Sequence, residues 1–152
     1  MGFFLSRFLH GGGRSSGIVL SGSDVMSLMP VFGAFVSRCR AARRHLAAFL
    51  DVVRQDAAAG AVSEADAAKI EETALGLNDL YRVMEDMCRR FDKDGFTPDA
   101  DAVLDVLLFL SSATDLYQMI FDFEHSLSDV GVSGDKDALA GMLLSLQQKL
   151  PN

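Results

Sequence analysis

"RCRAARRH", residues 38 to 45, is the densest cluster of chemically capable side chains in the sequence. On a helix Arg40 and Arg44 stand one turn apart with Arg43 beside them, and Arg38 opens the run. Arginines placed this way lay their aliphatic stems over apolar surface and keep the guanidinium in water or against an acid. The chemistry open to Arg38, Arg40, Arg43 and Arg44 is therefore the holding of an anion, on a solvated basic face or at a contact with an acidic partner. Cys39 and Cys88 occupy seam positions of their segments, where a small apolar residue packs well and a thiolate is disfavoured. Two cysteines are also too few for a disulfide framework or for a zinc site of their own. His10, His45 and His125 fall on separate segments, and "GGGRSSG" lacks the Gly-Lys-Ser/Thr ending of a phosphate loop. No catalytic residue, metal or cofactor is expected.

Three further patterns are weighed against specific chemistry. "DKDGFTPDADAV" has the look of a calcium loop, but aligning Gly95 with the required glycine places Arg90 at the first ligand position and Asp101 at the last, where a bidentate Glu is needed. A capped turn accounts for it better. A di-iron bundle needs two Glu-x-x-His pairs and two more glutamates, whereas Asp122-x-x-His125 occurs once, beside Glu124. Arg40-x4-His45 resembles the Arg-x4-6-His motif of HEPN ribonucleases, which are helical bundles. That resemblance, over about six residues, implies His45 as general base and Arg40 as stabiliser of phosphate charge across a dimer. The family carries its motif on a late helix with a polar second residue; here it lies midway along the first long helix with Ala41 in that place.

The elements that must position these groups are helices. Ser23 caps a segment running to about Ala58 in which Val25, Leu28, Phe32, Phe35, Cys39, Ala42, Leu46, Phe49 and Val53 recur at three-four spacing. Pro30 implies either a kink there or a start nearer to it, with Ser27 as the cap. Gly60 closes this helix, and Ser63 with Asp66 opens the next in an acidic variant of the capping box. Its seam is Ile70, Leu77, Leu80, Met84, Met87 and Phe91, ending at Arg89 and Arg90. Thr97 and Pro98 begin a third helix over about 98–128. On it Val103, Val106, Leu110, Ala113, Tyr117, Ile120 and Leu127 form one stripe, and Leu104, Leu108, Met119 and Phe123 part of a second. A fourth, over about 135–149, places Leu139, Met142, Leu143, Leu146 and Leu150 inward and stops at Pro151.

The fold class expected is all-α: an antiparallel four-helix bundle over 23–152, with three long helices and one shorter C-terminal helix, preceded by an amphipathic leader over 1–22. The chain has 152 residues, 49% of them hydrophobic, with 7 Met and 11 Phe and no Trp, which suits an adaptable core or contact surface. Up to Arg54 there are seven Arg against Asp24 and Asp51, a net +5; the rest carries −12 of the total −7. Nucleic acid is disfavoured, because the larger acidic part repels it. No segment is expected to span a membrane, since the run from 25 to 37 is too short and the third helix is interrupted by aspartates.

One mismatch points to function. Three helices of about thirty residues reach about 45 Å, and the fourth about half of that. Part of the bundle is left three-sided, with apolar rows of the third helix to be covered. The anchors expected for a partner are Leu104, Leu108, Phe109 and Phe123, with the leader face of Phe4, Phe8 and Leu9 as a second contact. The leader itself reads first as a packing segment. Its alternatives are a targeting or secretion signal of mitochondrial composition, an in-plane membrane helix, and an acylated N-terminus with Gly2 and Ser6 in register. The function expected is a non-enzymatic interaction protein, an adaptor, chaperone-like binder or assembly subunit, whose partner is another protein or a second copy. The alternative is a peripheral membrane protein tethered by its N-terminus. Reduced core thiols suit an intracellular compartment.

Overall fold

A computed structural model of the chain describes residues 22–94 and 100–150, with side chains for 27–92 and 104–150. Among the described residues it has four helices and no strand: α1 (Gly22–Ala58), α2 (Glu64–Asp94), α3 (Ala100–Leu127) and α4 (Lys136–Lys149). The leader and the Thr97-Pro98 start of α3 lie outside the described residues. α1 packs on α2 and on α4, and α3 packs on α2 and more lightly on α4. The arrangement is a helical bundle around one continuous apolar core.

The α1 seam is buried as its spacing predicts, from Leu28 and Phe32 through Cys39 and Leu46 to Val53. α1 runs unbroken through Pro30, whose ring is on the exposed side. The hydrogen bond that proline cannot make is thus lost at the surface and not in the core. At the other end Gly60, at φ 78°, closes α1. The Ala61 amide donates to the Asp56 carbonyl at 2.8 Å and the Gly60 amide to Ala57 at 3.1 Å, which satisfies two carbonyls that the helix end leaves open. Three residues later the Ser63 hydroxyl accepts from the Asp66 amide at 3.1 Å and starts α2.

α2 buries Ile70, Ala74, Leu77, Tyr81, Met84, Cys88 and Phe91. At one end of the bundle Phe32 of α1 lies between Phe91, with centroids 4.8 Å apart, and Phe109, at 4.4 Å. Deeper along, Phe49 meets Phe123 edge-on at 6.4 Å. These edge-to-face and offset contacts knit α1 to both α2 and α3.

α4 is fastened before it begins. The Ser133 amide and hydroxyl both donate to the Asp56 carboxylate, at 2.7 and 2.9 Å. Gly134 then lies so close to α1 that a Cβ there would come within 3.1 Å of Val52. Asp135 caps α4 by accepting from the Ala138 amide at 2.8 Å, and Leu139, Leu143 and Leu146 face inward. With 14 residues against 37 in α1, α4 is about 21 Å long against about 55 Å. It begins beside the C-terminal end of α1 and is too short to cover its whole length.

α3 departs from its predicted stripes. Val106, Phe109, Leu110, Ala113, Leu116, Ile120, Phe123 and Leu127 are buried, so Phe123 belongs to the inner face and not to a second stripe. Tyr117, expected inside, is exposed. The expectation that no segment could span a membrane is also corrected. By length and composition alone, Leu104–Leu127 is apolar enough to do so, at a mean hydropathy of 1.3. In this bundle α3 buries one face, about a third of that span.

Candidate functional site

The basic run of α1 meets α2 at Glu85, the one charged residue buried among the described residues. Arg40 Nε donates to Glu85 Oε1 at 3.0 Å and Arg43 Nη1 to Oε2 at 2.8 Å. Arg89, one turn along α2, reaches Oε1 at 3.2 Å and also Asp86 at 2.8 Å. Arg43 Nε is taken up by the Asn78 side-chain oxygen at 3.1 Å. Burial pushes the Glu85 carboxyl up, but the hydrogen bonds from Arg40 and Arg43 and the charge of Arg89 outweigh it, and the group sits below its ordinary value. Farther along, Arg54 pairs with Glu71. Arg38, Arg44 and Arg82 are exposed and make no ion pair among the described residues.

Sequence reasoning found the arginines but missed Glu85. Its signal was present: an acid at the position three residues before Cys88 and four after Tyr81 falls on the α1-facing flank of the α2 seam. Behind this pair the core is closed. Desolvation drives the Cys39 thiol well above its ordinary value and the Cys88 thiol up to about 12, so both remain protonated and inert at neutral pH. The Tyr81 hydroxyl is fully buried with no hydrogen-bond partner among the described residues, and burial pushes its pKa upward.

The second candidate surface is α3. Phe109 and Phe123, expected as partner anchors, are fully buried, and neither is within reach of a partner in this fold. Their rings pack against Phe32, Phe35 and Phe49 of α1, a place the sequence stripes assigned to other residues. Leu104 and Leu108, also expected as anchors, are 55% and 47% exposed. Tyr117 and Phe121 join them at 44% and 45%, one turn apart and, as a pair, about 140° around the helix from the Leu104–Leu108 pair. Phe121 stacks on His125 at 4.5 Å. Between α3 and α4 a groove of about 480 Å³ is lined by Glu124, Leu127, Ala140, Gly141 and Leu144, with Lys136 and Asp137 at its edge. Burial raises the Glu124 carboxyl. Phe4, Phe8 and Leu9 lie outside the described residues.

The remaining patterns are placed as follows. Arg40 and His45 leave α1 about 140° apart, and Arg40 is held against Glu85. Asp122 accepts from Gln118 at 2.9 Å, while His125 lies on the Phe121 ring. Among the described residues no group of three or more His, Cys, Asp or Glu side chains is placed to hold a metal ion. No known protein family, curated protein or solved structure matches this chain.

Proposed function

We propose that the protein is a non-enzymatic interaction protein, an adaptor, chaperone-like binder or assembly subunit, that engages partner helices through α3. The observation that carries this reading is the pair of apolar ridges on one helix: Leu104 with Leu108, and Tyr117 with Phe121, all about half exposed. A soluble chain gains by burying such residues, by about 1.5–3 kcal/mol for each large side chain fully covered. Four on a single helix, on two sides of it, suit a helix that packs between its own bundle and another. The bundle is read as antiparallel, up-down-up-down. The cross-helix pairs support this, because their α2 members fall from Glu85 to Asn78 to Glu71 as the α1 members rise from Arg40 to Arg43 to Arg54.

Light scattering tests the reading. The intact protein is expected to run larger than one chain, alone or with its bound partner, and Leu108→Asp is expected to reduce that size while helix content stays the same. A single-chain mass for both proteins, with nothing bound to either, rules it out.

A membrane reading draws on the apolarity of Leu104–Leu127. Under it, the protein floats with liposomes. Recovery entirely in the soluble fraction excludes it.

A further inference from the structure

The α1–α2 seam carries more positive charge than Glu85 absorbs. Three guanidiniums converge on its single carboxylate, and each is partly exposed: 54% for the Arg40 side chain, 28% for Arg43 and 51% for Arg89. Among the described residues Arg40 uses only Nε on Glu85, which leaves its two terminal nitrogens without a hydrogen-bond partner there, and Arg43 has Nη2 to spare. Arg44 follows Arg40 by one turn of α1, and Arg82 precedes Glu85 by three residues on α2, so both border the same seam without an acid of their own. Asp86 takes up part of the Arg89 charge at 2.8 Å, and Asp79 lies farther out on α2, so the unmatched charge rests on Arg40, Arg43, Arg44 and Arg82. Glu85 thus holds Arg40, Arg43 and Arg89 in place, with the unused nitrogens of Arg40 and Arg43 toward solvent.

Depressions of mixed polar and apolar lining flank this charge on both sides. One, of about 170 Å³, is formed by Met29, Phe32, Gly33 and Val36 with Arg40 and Arg89 on its wall. The other, of about 240 Å³, is formed by Leu46, Ala47, Leu50 and Leu75 with Arg43 and Asn78 on its wall. Leu75 is 48% exposed there. Their centres are about fourteen α1 residues apart, or about 21 Å along the seam.

We infer that this seam is a docking groove for an acidic amphipathic helix of a partner protein, whose central carboxylates meet the free guanidinium nitrogens and whose apolar ends fill the two depressions. Charge decides the occupant. A second copy docked symmetrically would set arginines against arginines. A nucleic-acid strand or an anionic lipid surface would have to pass over Asp51 and Asp92 at the two ends of the seam, on a chain whose net charge is already −7. A helix with carboxylates only at its middle avoids both conflicts and uses the apolar ends as anchors. This surface is separate from the α3 ridges and stands without them.

The test uses the full chain and a labelled synthetic helical peptide, with leucines about fourteen residues apart and glutamates between them, read by fluorescence anisotropy. The glutamate peptide is expected to bind roughly tenfold or more tightly than the same peptide with lysines, and more weakly as salt rises. Arg44→Glu with Arg82→Glu removes charge without touching Glu85 and should cost about tenfold or more in affinity. Gly33→Leu places a side chain where a Cβ meets nothing within 4 Å, so it fills one depression in a folded protein and should weaken binding several-fold. Leu108→Asp should leave binding unchanged. Equal binding of the two peptides, undiminished binding by the charge variant, loss of binding in Leu108→Asp, or tighter binding of a single-stranded oligonucleotide or phosphatidylserine vesicles would each overturn the inference.

Discussion

The α1–α2 seam and the outer flanks of α3 hold the two surpluses of this chain, and the fold treats them in opposite ways. At the seam an excess of arginine is drawn inward onto a buried acid, so polar atoms meet in pairs and the helices are locked in register. On α3 an excess of apolar side chains is divided. One face is sealed in the core, and two ridges remain in water. The difference follows from what each surplus costs. A buried carboxylate without its cations would be costly to desolvate, so it persists only where several donors converge. An exposed leucine costs far less, so it can remain in water.

Core truncation gives the largest contrast. Phe109→Ala should lower stability by about 3–5 kcal/mol, because it opens a cavity beside Phe32 and Phe35, whereas Leu108→Asp, its neighbour in sequence, should change the stability of a single chain by less than about 0.5 kcal/mol. Urea unfolding followed by circular dichroism checks both, and comparable losses would erase the distinction between inner face and ridge. Next, Glu85→Ala should cost about 2–3 kcal/mol, as three partly exposed arginines lose their shared acceptor.

The same carboxylate has a pH signature. Its folded pKa lies below the ordinary 4.5, so its contribution is fully present above that value and is lost as pH falls through the lowered folded value. Glu85→Gln should flatten the acid limb of stability against pH, and an unchanged limb would assign that loss to other groups. The smallest effect has the opposite sign. Tyr81→Phe removes a buried hydroxyl without a partner and should raise stability by about 1 kcal/mol at neutral pH. A loss in its place would show that the hydroxyl has a hydrogen-bond partner after all.

Much of the bundle was legible because apolar spacing is a local property. The α1 seam, the Ser63 cap, the Gly60 terminus and the half-length last helix each follow from a few adjacent residues. What failed was the orientation of α3. Apolar residues surround that helix so widely that spacing alone permits several inward faces, and the choice between Tyr117 and Phe123 depends on which flank α2 and α1 occupy. The same limit applied to the candidate site. The arginines announced themselves by density, but Glu85 is one acid among many on α2 and its importance arises only when another helix, 42 to 45 residues away in sequence, is set against it. Asp56 and Ser133, 77 residues apart, are joined in the same long-range way.

The link between α1 and α2 is only the five residues from Ala59 to Ser63, closed by its own backbone at one side and a serine at the other. Such a tight elbow leaves no slack to absorb a change in phase. Adding one residue to α2 just after it would swing everything downstream by about 100°, turning Glu85 away from its cations and carrying the phenylalanine at 91 off its ring partner. The spelling of that short corner therefore sets the aim of a charge more than twenty residues away.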